Sequence, residues 1–260
     1  MSQPGHRSAW YWLAIGLLKP AAAVLTRREL TGAEHVPPGG VVLAVNHLSY
    51  ADPIALADAV VFGLGRTPRF LAKSSMFRRR TFIGAVMRGA DQIPVERESV
   101  GASQSLDAAV AALHAGETII IYPEGTVTRD PQVWPMVART GVARLALLSG
   151  APVVPIAQWG AQRLHDSYRT GAVHLWPPAM VRLRVGPPVD LSRWRSAALT
   201  APVLKEATGA VMDAITTELE VLRGEPAPAE RYDPRADPRA DPRAGTHPAC
   251  ETSDELEDTA

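Results

Sequence analysis

A chain of 260 residues, 46% hydrophobic and formally neutral, is long enough for one α/β domain with a sizeable core plus appendages. Neutrality conceals a split, because residues 224–260 carry ten acids against four arginines and leave the body basic by about six charges. A basic body suits anionic lipid or phosphate. The single cysteine, Cys250, excludes an internal disulfide framework or a cysteine-built metal site and fits a reducing compartment.

Taken in order, residues 10–25 are apolar but interrupted by Lys19-Pro20 and are short for a bilayer span. They read as a helix packed on the domain, an interfacial anchor carrying Trp10, Tyr11 and Trp12, or both. Val41–Val45 reads as a buried strand ending in Asn46-His47, and residues 54–64 as a helix with Pro53 in its first turn. A short strand is expected at 69–72. Residues 66–97 hold eight basic side chains interleaved with Met76, Phe77, Phe82, Ile83, Val86 and Met87, the pattern of a segment lying on anionic membrane. No nucleic-acid motif accompanies that charge.

Further strands are expected at 92–95, 118–122, 153–157 and, as an outer strand, 181–185; helices are expected at 100–115, 141–148 and 203–222. Strands alternating with helices predict an α/β sandwich, a mixed sheet covered by helices. The chain divides into an N-terminal membrane-associated segment (1–33), a domain (34–223) and an acidic tail (224–260). The repeated Asp-Pro-Arg-Ala of that tail predicts disorder.

The chemistry gathers at strand ends. His47 lies where a core strand runs out, with Asp52 five residues on, and a carboxylate beside an imidazole makes a base that works at neutral pH. Glu124-Gly125-Thr126 ends a second apolar strand in the same way, and Val154-Pro155-Ile156 follows. Among the seven histidines there is neither His-x-His nor His-Glu-x-x-His, so no metal is expected. No Gly-x-Ser-x-Gly elbow is present, so no acyl-enzyme is expected either.

The ordered set Asn-His-x4-Asp, Pro-Glu-Gly-Thr and Val-Pro-Ile resembles the glycerophospholipid acyltransferase family, typified by 1-acylglycerol-3-phosphate acyltransferase, over about residues 41–156. The resemblance implies transfer of a fatty acyl group from acyl-CoA or acyl carrier protein to the hydroxyl of a lysophospholipid, with no further cofactor. It assigns His47 and Asp52 to catalysis and Lys73, Arg97, Glu124, Gly125 and Thr126 to acceptor binding, in which Glu124, unable to bind phosphate while ionised, holds Arg97 or a loop in place. The motif around Arg97 is looser than the family's, and Val127 stands where many members have arginine, with Arg129 two residues further on. The expected setting is the cytoplasmic face of the cell membrane. A non-catalytic lipid-binding protein of the same fold is the alternative, which would need neither the His47/Asp52 pair nor the Glu-Gly-Thr turn.

Overall fold

The computed structural model describes residues 9–78, 81–95, 101–167 and 171–236. Seven strands form one sheet: β1 (Thr26–Thr31), β2 (Val41–Val45), β3 (Pro68–Lys73), β4 (Ile93–Val95), β5 (Thr118–Ile121), β6 (Val153–Trp159) and β7 (Ala179–Val185). Their order is β1-β7-β6-β2-β5-β3-β4, parallel throughout except where β6 meets β7. Among the described residues the α-helices are α1 (Ala9–Leu25), α2 (Asp52–Asp58), α3 (Phe82–Gly89), α4 (Gly101–His114), α5 (Gly141–Ser149) and α6 (Ala201–Arg223). The sheet is mixed and flanked by helices.

β2 is buried at every position because both of its faces are covered, which is why Val41–Val45 is an unbroken apolar run rather than an alternating one. Its alternate side chains feed two cores. Val42 and Ala44 join Ile119 and Val153 under α4, α5 and α6, whereas Val41, Leu43 and Val45 join Ile120, Val154 and Ile156 under α2. The connection leaving β2 enters α2 on one face, while the connection leaving neighbouring β5 leads to α5 on the other. Connections that part in this way open a crevice at the carboxyl ends of the two strands, where open α/β sheets bind ligands.

Several boundaries differ from expectation. The helix expected over 54–64 begins at Asp52, is α-helical to Asp58 and closes with a wider π turn, Ala59–Gly63. Residues 26–31 do not belong with the apolar N-terminal segment: they form β1, an edge strand hydrogen-bonded along β7. Its sequence, Thr-Arg-Arg-Glu-Leu-Thr, hides the strand because an edge needs little apolar surface. β7 is consequently an inner strand, and Arg184 on it meets Glu218 of α6 at 2.5 Å.

The C-terminal boundary moves as well. Beyond the left-handed Gly224 cap, residues 225–236 lie against α6 and the loop before α5. Val137 N–H donates to the Tyr232 carbonyl at 2.9 Å, Ala227 N–H to Glu220 at 2.8 Å, and Arg231 pairs with Asp213. The Arg223 guanidinium stacks 3.9 Å from the Trp134 ring centroid and 4.4 Å from that of Trp159. Disorder expected from residue 224 therefore does not apply to 225–236, whose backbone and charges find partners that composition does not reveal. Residues 237–260 lie outside the described residues.

Helix α1 contains Pro20 and exposes Trp12, Leu13, Leu17 and Val24, while Lys19 sits over the Phe62 ring. Among the described residues no helix is long and apolar enough to cross a membrane. The basic run is partly spent on structure. Arg66 donates to the Pro37 and Gly39 carbonyls and to Thr118, Arg69 to the Asp91 carbonyl and Glu117, and Arg88 to the Phe77 carbonyl. Arg79, Arg80 and Arg97 lie outside the described residues.

Candidate active site

The register of β2 and β5 assembles the centre. Ala44 pairs with Ile121, so the residues three further along each strand, His47 and Glu124, emerge side by side at the carboxyl edge. The His47 main chain is held from both sides by the β5 turn. Its N–H donates to Glu124 Oε1 at 2.8 Å, and its carbonyl accepts from Thr128 N–H at 2.7 Å. Glu124 Oε2 accepts from Met136 N–H at 3.1 Å. A buried carboxyl thus bridges the His47 turn and the loop that leads to α5.

Asp52, the first residue of α2, is fully buried. Its Oδ2 accepts from His47 Nδ1 at 2.9 Å, from Leu48 N–H at 2.5 Å and from Ser49 N–H at 2.9 Å. One oxygen therefore shapes the turn and orients the imidazole together, while Oδ1 is buried without a hydrogen-bond partner. The amino-terminal end of α2 favours the negative charge. With Nδ1 committed, Nε2 is the nitrogen left to take a proton, and the His47 side chain keeps 13% of its surface exposed.

Two neighbours were not assigned a role from sequence. The Tyr122 ring stacks on the His47 imidazole with centroids 4.1 Å apart and planes inclined by 17°, and Phe70 stands behind it at 6.4 Å. Burial, then the Asp52 carboxylate, holds the Tyr122 hydroxyl well above its usual range against an opposing Gln158 contact, so the ring stays neutral beside the imidazole. On the other side Asn46 replaces strand pairing with its side chain. Its Oδ1 accepts from Gln158 N–H (2.8 Å), its Nδ2 donates to the Gln158 carbonyl (3.1 Å), and Gln158 Nε2 returns a bond to the Asn46 carbonyl (2.7 Å). These three bonds lock the end of β2 to β6.

Of the expected phosphate ligands, Lys73 ends β3 and is exposed, level with Val95 of β4. Arg97, two residues beyond Val95, lies outside the described residues. Gly125 and Thr126 are half-buried in the turn, and Arg129 is half-buried beyond them. Gly125 needs its left-handed backbone (φ 75°), and a Cβ there would crowd the Arg139 side chain at 3.2 Å. Arg139, which sequence reading passed over, thus lies against this turn. Glu124 is 4% exposed, with both oxygens engaged by backbone N–H groups of two loops, so it faces the protein rather than a ligand. Burial pushes its carboxyl up to about 8 against the pull of those two hydrogen bonds, and Asp52 and Asp130 add to the rise. Among the described residues no three His, Cys, Asp or Glu side chains converge as a metal site would require.

A part-exposed imidazole, oriented by a buried carboxylate at the carboxyl edge of a mixed sheet, defines the candidate centre of this α/β protein. Residues 27–159, half of the chain, match the Acyltransferase family, and the chain belongs to that family. It is 25% identical over 134 residues to a probable 1-acyl-sn-glycerol-3-phosphate acyltransferase of Mycoplasma pneumoniae. That match covers 51% of this chain and 49% of the relative, so the chain spans about half the length of that curated protein. In fold it is similar to the 1-acyl-sn-glycerophosphate acyltransferase PlsC from Thermotoga maritima, with a TM-score of 0.61 and 21% identity over 85% of this chain and 83% of that one.

Proposed function

We propose that the protein moves a fatty acyl group from a thioester donor, acyl-CoA or acyl carrier protein, to the free hydroxyl of a lysophospholipid, 1-acylglycerol-3-phosphate first among them. The observation that carries this reading is the 2.9 Å contact between His47 Nδ1 and a buried Asp52 that also organises the turn. A lipid-binding module has no need to bury a carboxylate for one imidazole. The named activity of the Mycoplasma pneumoniae relative supplies the substrate class.

In this reaction His47 Nε2 takes the proton of the acceptor hydroxyl as its oxygen attacks the thioester carbonyl carbon. Asp52 stabilises the imidazolium, and the Tyr122 face adds a cation–π contribution of about 0.5–2 kcal/mol. The tetrahedral intermediate collapses with cleavage of the C–S bond, and the imidazolium returns its proton to the departing thiolate. General-base help of this kind supplies roughly 10²–10⁴-fold. Lys73, Arg97, Gly125 and Thr126 hold the acceptor phosphate in this scheme, while Glu124 holds His47. The protein works peripherally at the cytoplasmic face of the membrane, with the exposed apolar residues of α1 against lipid.

Purified protein given each donor with a series of lysophospholipids tests the proposal through release of free thiol. Acceptor-dependent release is expected. Thiol release indifferent to the acceptor would mark a thioesterase and overturn it.

A further inference from the structure

Between β6 and β7 the chain makes an excursion at the carboxyl edge that the chemistry above does not use. Its described parts are ordered by their own hydrogen bonds: His174 N–H donates to the Leu164 carbonyl at 2.9 Å, Asp166 N–H to the Ala172 carbonyl at 3.0 Å, and His165 bridges Val173. It is tied directly to the catalytic turn. Ser49 Oγ donates to the His165 carbonyl at 2.7 Å, and Tyr50 N–H donates to Ser167 Oγ at 2.9 Å. On its return toward β7 the loop nevertheless presents apolar side chains to solvent: Val173 and Leu175 are each 56% exposed and Trp176 81%. Tyr50, on the catalytic turn itself, is 58% exposed.

A cluster of this kind, led by tryptophan, matches the interfacial zone of a bilayer, which accepts an aromatic body and a polar N–H together. The strand register extends the surface. Thr26 pairs with Ala179, so the last turn of α1, with exposed Val24, and the end of the 171–177 loop meet at one end of the sheet. Exposed Arg163 lies in the first part of the excursion, beside Leu164, and exposed Arg27 is level with exposed Met180 just after it. Cations bordering an apolar cluster complement anionic headgroups.

We propose that residues 171–177 form a membrane-docking element, in which Val173, Leu175 and Trp176 enter the surface of an anionic bilayer and thereby set the His47 turn against the lipid. The element is separate from α1 and rests on the reading that the acceptor is a membrane lipid. Docking through it presents the lysophospholipid headgroup to the crevice between β2 and β5.

The test compares the full chain with Leu175→Ser/Trp176→Ser and with Trp176→Phe, by sedimentation with phosphatidylglycerol–phosphatidylcholine vesicles. The double variant is expected to partition about tenfold less, or about 1.4 kcal/mol, with an unchanged melting temperature because both side chains are exposed. Trp176→Phe should keep most of the binding. Transfer to an acceptor carried in vesicles should fall with partitioning, whereas transfer to a short-chain acceptor dissolved as monomer should not. Equal partitioning of the double variant and wild type overturns the proposal, as does a wild type that ignores vesicles. A wild-type dimer that the double variant turns into monomer also overturns it, since a second copy would then cover the cluster. Lost partitioning in a protein with no transferase activity on any acceptor would keep the docking element and remove the acyl-transfer reading instead.

Discussion

Replacing Glu124 separates two roles that a carboxylate in this turn can have. In Glu124→Ala the His47 and Met136 N–H groups, at 2.8 and 3.1 Å from the carboxyl, lose their acceptor within the protein. Each buried unpaired donor costs roughly 1–3 kcal/mol. Relief from burying the carboxyl offsets part of this, leaving about 3 kcal/mol, or a fall of about 6–12 °C in melting temperature. The turn that carries His47 also loses a tether, and a displacement of about 1 Å at a base can cost about 10²-fold in kcat. Glu124→Gln keeps one acceptor and should lie between. Differential scanning calorimetry with initial rates at varied acceptor concentration reads both effects. A further signature comes from pH. The folded carboxyl titrates near 8, above its ordinary 4.5, so the folded state holds the proton more tightly than the unfolded chain. The contribution of Glu124 to stability is therefore full below about 4.5 and is lost as pH rises toward 8. Glu124→Gln should flatten that decline. An unchanged melting temperature with only the acceptor KM raised would refute the clamp and return Glu124 to the substrate.

Other perturbations follow from single contacts. Tyr122→Leu removes the face stacked on the imidazole and should lower kcat about tenfold, whereas Tyr122→Phe should stay near wild type in a kcat comparison. Asn46→Ala breaks the three-bond exchange with Gln158 and should lower stability by about 2–4 kcal/mol in urea unfolding, with activity lost in proportion to the displaced turn. Cutting the chain after Ala236 should leave the melting temperature unchanged. Cutting after Gly224 removes the Tyr232, Ala227 and Arg231 contacts and should lower it by about 3–6 °C.

Much of the sheet was legible because its central strands are buried on both faces. Val41–Val45 and Thr118–Ile121 stand out as apolar runs that stop in polar turns, and parallel register then brings His47 to Glu124. The Asp52 contact was legible as a short-range spacing on one turn. Long-range and edge features were not. β1 is an edge strand with three charged residues in six, so it lacks the apolar signal. The Asn46–Gln158 exchange joins residues 112 apart through side-chain amides, which leave no periodic trace. The direction of Glu124 is set by which N–H groups the folded loops bring within reach, and motif spacing says nothing of that. Residues 225–236 read as solvent-loving because proline and charge dominate them, yet their partners are specific groups on α6 and its neighbouring loop.

The central claim is that His47 is the base of an acyl transfer, and release of free thiol by His47→Ala beside wild type tests it most directly. With acyl-CoA and 1-acylglycerol-3-phosphate, the wild type should release thiol and form the diacyl product. His47→Ala should melt within about 2 °C of wild type, since the side chain is only one partner of Asp52 Oδ2, and lose about 10²–10⁴-fold in kcat. A folded His47→Ala protein that turns over within a few-fold of wild type would contradict the account.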